Sequence, residues 1–164
     1  MRKAVLISIR PKWSEKIISG EKTIEVRKTR PKMNPPFKCY IYRSVQGGVI
    51  GEFVCDDIFE RVVRVGAICE PPKYCICDWN MDCTPLDTLL ADACLTKDEL
   101  EKYLDGGVGY GWHISNLRIY DTPRELREFY AVQNEVEVAL KAKPKPVTRP
   151  PQSWRYVEEE TWND

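Results

Sequence analysis

No stretch of this sequence is long and apolar enough to cross a membrane: a span needs about 18 or more unbroken apolar residues, and charged residues recur well inside that length. Net charge is missing as well. Lys+Arg and Asp+Glu both number 25, which argues against a binder that relies on bulk positive charge. A local basic cleft remains open, offset by acid elsewhere; Glu158, Glu159, Glu160 and Asp164 hold part of that acid. There is no C-x-x-C pair among the seven cysteines. Cys69, Cys75, Cys77 and Cys83 are separated by five, one and five residues, a poor match to zinc ribbons and knuckles. An odd number of scattered cysteines with no export signal reads as reduced thiols in a cytoplasmic protein. The opening Met1-Arg2-Lys3 runs into Ala4–Ile9, too short for a signal-peptide core. No internal repeat, metal site or cofactor motif is found, and no motif places a cysteine nucleophile.

What is present is an ordinary globular mix, 43% hydrophobic and 30% charged over 164 residues, enough for one domain with appendages and a core of its own. Residues 4–10 read as a first strand. Pro11 opens a short helix through Ser19, with Trp13, Ile17 and Ile18 at helical spacing and Gly20 as its stop. Lys22–Lys28 alternates as a half-buried strand. Phe37–Ser44 is a third strand, Gln46-Gly47-Gly48 a hairpin turn, and Val49–Val65 a long fourth strand bent near Asp56 and Asp57. An irregular Cys-rich stretch follows to Thr84. Then come a helix near Thr84-Pro85 and another from the capping box Thr96-Lys97-Asp98-Glu99, stopped by Gly106-Gly107. Tyr110–Tyr120 is a fifth strand, Thr122-Pro123 caps a short helix through Phe129, and Gln152–Val157 is a closing strand after a Pro- and Lys-rich segment. Several strands with few helices favour an α+β fold with a small mixed barrel over a doubly wound sheet.

The densest chemistry lies in Gly20-Glu21-Lys22-Thr23-Ile24-Glu25-Val26-Arg27. Residues two apart on a strand share a face, so Thr23, Glu25 and Arg27 point one way and Ile24 and Val26 toward the core. Lys22 is turned to the same site by the chain after Gly20. Arg27 has the fork to grip a phosphate. Glu25 has the oxygens to accept from an exocyclic amine, or to hold Lys22 or Arg27. The plain alternative is a solvated face with cross-strand ion pairs.

The spacing Gly-x-Lys-x-x-Glu-x-Arg resembles the ASCH domain, a branch of the PUA-like superfamily. The likeness extends to Ile9-Arg10-Pro11-Lys12-Trp13 before it and to Gly111-Trp112-His113-Ile114-Ser115 later. It covers residues 4–65 and 109–130. The resemblance implies a PUA-like barrel over 1–135, a cleft beside the helix-to-strand turn, and binding of RNA or a modified nucleoside. The Cys-rich and helical segment 66–108 then reads as an insertion after the fourth strand. Residues 136–164 read as a linker, closing strand and acidic tail. Both look like additions of the phage or prophage kind, and 66–108 is the segment to seek a protein partner on. Some members of the family resemble ribonucleases. Some small relatives are amidohydrolases that deacetylate acetylated cytidine with a lysine, a threonine three residues on and a separate glutamate. Lys22 matches that lysine, but the threonine position is Glu25, and Thr23 lies two positions early. If the chain is an enzyme, Lys22 and Glu25 are the catalytic candidates.

The nucleic-acid-binding set is therefore Arg10, Trp13, Lys22, Thr23, Glu25, Arg27 and His113. Trp13, Trp79, Trp112 and Trp154 have rings that stack on bases; Trp112 shares a face with Ile114, which favours core. His113 alternates with Trp112 and so points away from it. Lys141, Lys143, Lys145 and Arg149 among prolines read as an extended linker or a basic arm.

Overall fold

The structure, a computed structural model, describes residues 2–65, 73–77, 83–84 and 86–160. The chain groups into two compact units, residues 1–14, 37–54 and 116–164 in the first and 15–36 and 55–115 in the second. Among the described residues no helix is long and apolar enough to cross a membrane.

In the first unit β1 (Lys3–Ile9) is paired along both edges: parallel with β3 (Phe37–Arg43) and antiparallel with β8 (Trp154–Glu158). A strand enclosed in this way reads as a continuous apolar run, and Ala4, Val5, Leu6, Ile7 and Ile9 are all buried. Parallel and antiparallel pairs on one strand make the sheet mixed, as the α+β reading expects. Tyr40 and Phe129 pack at 4.9 Å between ring centroids, among Ala4, Leu6, Val49, Val147 and Val157. The Pro- and Lys-rich segment is extended and tied to this core. Ala131 N donates to Lys145 O, Val147 N to Phe129 O, and Ser8 Oγ to Pro151 O. At its far end Arg124 grips both oxygens of Glu160, at 2.6 and 2.8 Å, and Tyr40 Oη accepts from Glu160 N.

The fourth strand, β4 (Val49–Val65), has the bounds expected and runs from the first unit into the second. In the second unit it pairs with β5 (Lys73–Cys77), which pairs with β6 (Cys83–Thr84), where the sequence suggests only irregular chain. The readings of Cys69 and Trp79, and of the side chains of Cys75, Cys77 and Cys83, lie outside the described residues. Two helices follow, α2 (Leu86–Ala93) and α3 (Lys97–Leu104). The capping box forms: Glu99 N donates to Thr96 Oγ1 and Thr96 N to a Glu99 carboxylate oxygen. Asp105 at φ 48° and Gly106 at φ 75° end α3, the left-handed turn that glycine adopts without strain.

Leu89 and Ala93 of α2 and Leu100 and Leu104 of α3 pack on Ile24 and Val26. Helices α2 and α3 thus supply part of the second unit's core. The strand bearing Ile24 and Val26 is β2 (Ile24–Arg27), antiparallel to the start of β7 (Gly109–Arg124). It is not half-buried as its alternation suggests: Glu25 and Arg27 are buried along with Ile24 and Val26.

The helix expected after Thr122-Pro123 is displaced. Residues 122–124 stay in β7, and only a single 3-10 turn follows at Leu126–Glu128. Glu128 caps that turn by accepting from Glu125 N at 2.8 Å and also holds Arg124. A further helix, α4 (Glu135–Ala139), starts from Asn134, whose amide oxygen accepts from Glu137 N. Its Asn-x-x-Glu start was present in the sequence.

Candidate functional site

Helix α1 (Pro11–Ile18) starts at Pro11, which has no N–H to lose at a helix start. It ends at Gly20, whose φ of 79° lets the chain reverse. Gly20 N donates to Ile17 O, and Lys22 N to Lys16 O. The chain then enters β2 anchored on two sides. Thr23 N donates to Asp92 O near the end of α2, and Thr23 O accepts from Ile114 N of β7.

This anchoring aims three charges at one point. Glu25 Oε2 lies 3.2 Å from Lys22 Nζ, and Glu25 Oε1 lies 2.9 Å from an Arg27 terminal nitrogen. Lys22 Nζ also donates to Ala93 O at 2.7 Å. Ala93 is the last residue of α2, where the helix dipole favours a cation. The side chains of Lys22, Glu25 and Arg27 are only 2%, 9% and 10% exposed. Burial pushes the Glu25 carboxyl up, but the charges of Lys22 and Arg27 and their hydrogen bonds outweigh it. The net shift is downward, so Glu25 is an ionised acceptor at neutral pH and has no proton to give.

Tyr103 of α3 sits at the margin of this cluster, 39% exposed and within electrostatic reach of Arg27 and Glu25. Lys28 Nζ stands 5.3 Å from its ring centroid, a cation–π contact. Burial raises the Tyr103 phenol, Arg27 lowers it and Glu25 raises it, with the net shift upward. Sequence reasoning missed Tyr103. The capping box predicts its helix, but only α3 packing on β2 brings that helix to Arg27.

The other predicted residues are distributed as follows. Thr23 is half-buried and lies just before β2; its backbone holds the site in place. Arg10 and Trp13 belong to the first unit. Arg10 O starts α1 by accepting from Trp13 N and Ser14 N, and Lys12 Nζ lies 4.3 Å from the Trp13 ring centroid. His113 is not brought to the triad. In the β2–β7 register Glu25 faces Trp112 and Ile24 faces His113. Directly opposed residues project to the same side of a sheet, so Trp112, fully buried, shares the face of Glu25, and His113 lies on the other. There His113 Nδ1 is 2.6 Å from Asp56 Oδ1. No group of three or more metal-ligating side chains occurs among the described residues.

The chain matches a known family. The model of the ASCH domain matches residues 7–134. No curated protein matches the chain. Among solved structures, the ASCH protein of Zymomonas mobilis is similar at 18% identity, covering 95% of this chain and 88% of that one with a TM-score of 0.61. Two mutant forms of that protein match comparably, at 18% and 19% identity, covering 96% of this chain and 92% and 90% of theirs, with TM-scores of 0.60 and 0.61. At such identity the likeness concerns the fold: a mixed sheet with a few helices, of the PUA-like α+β kind. With most of its length matched by the family model, this chain belongs to the ASCH domain family.

Proposed function

We propose that this chain binds nucleic acid, single-stranded RNA first, through the site centred on Lys22, Glu25 and Arg27. The observation that carries the reading is the ion triad itself. Burying three charges costs several kcal/mol per ion before pairing returns any of it, and an apolar strand would avoid that cost. Such a cluster is better explained by a task than by stability. Arg27 supplies a planar fork suited to phosphate or a base edge. Glu25 fixes the orientation of that fork, and Lys22 fixes Glu25 from behind. Lys22 and Glu25 are in this reading positioning residues. Tyr103 and Lys28 form the half-exposed rim on which an unstacked base has room to settle. Membership of the ASCH family, which is of nucleic-acid-binding type, supports the same conclusion.

Deacetylation of acetylated cytidine is the competing reading. It is weakened because the position three residues after Lys22 holds a carboxylate paired with that lysine, where a hydroxyl nucleophile is needed.

The test is a paired assay on wild type, Lys22→Ala and Arg27→Ala, with folding checked by circular dichroism. Each protein is titrated with a labelled single-stranded RNA and, separately, incubated with acetylated cytidine. The expected result is RNA binding that Arg27→Ala weakens, with the salt slope reduced by about 0.7 for one lost phosphate contact, and intact acetylated cytidine. Deacetylation abolished by Lys22→Ala would instead establish the hydrolase. No RNA binding by folded wild type would refute the proposal.

A further inference from the structure

The first unit holds an ionic contact that the triad of the second unit does not use. Arg124, at the end of β7, is engaged on all three guanidinium nitrogens. Nη1 and Nη2 donate to the two oxygens of Glu160 at 2.6 and 2.8 Å, and Nε donates to Glu128 at 2.9 Å. The guanidinium is also held by two rings. Its central carbon lies 4.7 Å from the Phe129 ring centroid and 5.7 Å from that of Tyr120. Phe129 is buried, and the Tyr120 hydroxyl donates to Glu52 at 2.6 Å. Glu128 and the two rings therefore set the plane of the fork without help from Glu160. Two parallel N–H bonds to one carboxylate form the geometry by which arginine recognises carboxylates.

Glu160 is held by less. Its carboxylate sits in the fork and its backbone N donates to Tyr40 Oη at 3.0 Å. Before it, Glu159 N donates to Arg2 O and Glu158 N to Tyr130 O. The Arg124 and Glu160 side chains are 19% and 25% exposed, so water and solutes reach the pair. The site thus reads two features of one residue, a side-chain carboxylate and a backbone N–H. A phosphate group offers no such N–H. Glu128 stays on Nε, so the fork suits the single charge of a carboxylate; a second negative charge meets Glu128.

We propose that Arg124 and Tyr40 form a recognition site for an extended acidic peptide of a partner protein, a site that Glu160 of the same chain occupies in cis. The segment Glu158-Glu159-Glu160 is the template for that partner: extended after β8, with one carboxylate in the fork and the N–H of the same residue on Tyr40. A partner segment of this kind displaces Glu160 and takes over both contacts, while Glu128, Phe129 and Tyr120 keep the fork in place. The inference concerns the first unit and stands apart from the RNA-binding reading.

The test uses the full chain and a labelled peptide copying residues 154–160, amidated at its end so that its only carboxylates are side chains. Fluorescence anisotropy reads Kd for wild type, for Glu160→Ala, and for Glu160→Ala combined with Arg124→Gln or with Arg124→Lys, each checked for folding by circular dichroism. Glu160→Ala should bind the peptide at least about 10-fold tighter than wild type, because the tethered carboxylate no longer competes at its high effective concentration. Arg124→Gln and Arg124→Lys should each erase that gain. Lysine keeps the charge but lacks the fork, and it decides the point if the glutamine variant does not fold. The same peptide carrying Glu160→Gln should not bind. Equal affinity for wild type and Glu160→Ala, no binding by folded Glu160→Ala, or a gain that survives Arg124→Lys overturns the proposal. A gain in binding of single-stranded RNA through Arg124, with no gain for the peptide, overturns it in favour of a phosphate site.

Discussion

Replacing Glu25 by glutamine removes one charge and almost no volume, and the geometry makes the loss large. Lys22 Nζ and an Arg27 nitrogen stand 3.2 and 2.9 Å from the two oxygens of Glu25, in surroundings where the lysine is 2% and the arginine 10% exposed. At an effective dielectric of about 20, each attraction at about 3 Å is worth roughly 5 kcal/mol before desolvation is counted. The substitution abolishes both, leaves two buried cations repelling each other, and recovers none of their hydration. Breaking a buried pair in this way typically costs about 3–5 kcal/mol, a large share of the roughly 5–15 kcal/mol that keeps a domain folded. Urea unfolding followed by circular dichroism and tryptophan fluorescence measures it. Trp112, opposite Glu25 in the β2–β7 register, is a local reporter. A loss below about 1 kcal/mol, the size of an exposed ion pair, would refute the reasoning and return the cluster to solvent.

The same carboxylate predicts a pH dependence. Its folded pKa is depressed, so its contribution is present above the ordinary carboxyl range and is lost as pH falls through the folded value. The acid limb of a stability–pH curve should be flatter in Glu25→Gln than in wild type, and parallel curves would contradict this. Leu100→Ala on α3 deletes a fully buried side chain packed near Ile24 and Val26; the expected cost is about 2–5 kcal/mol by chemical denaturation. Thr96→Ala removes the acceptor for Glu99 N and should cost about 1 kcal/mol, read as a lower melting temperature. Cys55 is buried and its thiol is pushed up to about 12, by burial first and by Asp56 and Asp57 next. In native protein at pH 8 it should resist iodoacetamide, followed by peptide mass mapping, and react only after unfolding.

Local pattern made part of the molecule legible. The apolar run of β1, the Pro-to-Gly frame of α1, the bounds of β4 and the capping box of α3 each depend on residues within one or two turns or strand pitches. The common direction of Glu25 and Arg27 followed from strand parity alone, and the family resemblance rested on that same short segment. The α+β class followed from the succession of such pieces.

Tertiary structure decided whether those charges meet water. Alternation in β2 identifies two faces but not what covers each. Helices α2 and α3, about sixty residues later in the chain, reach the triad as well: the Ala93 carbonyl binds Lys22 Nζ, and Tyr103 stands at the margin of Arg27 and Glu25. Register decided the fate of His113. A strand pairing is a non-local choice, and shifting it by one residue would exchange the faces of Trp112 and His113. The observed register seats Trp112 opposite Glu25 and sends the imidazole to Asp56. The sequence by itself determined which groups the chain carries and their local direction. Burial and pairing, which arise only between distant segments, decided which of them act together.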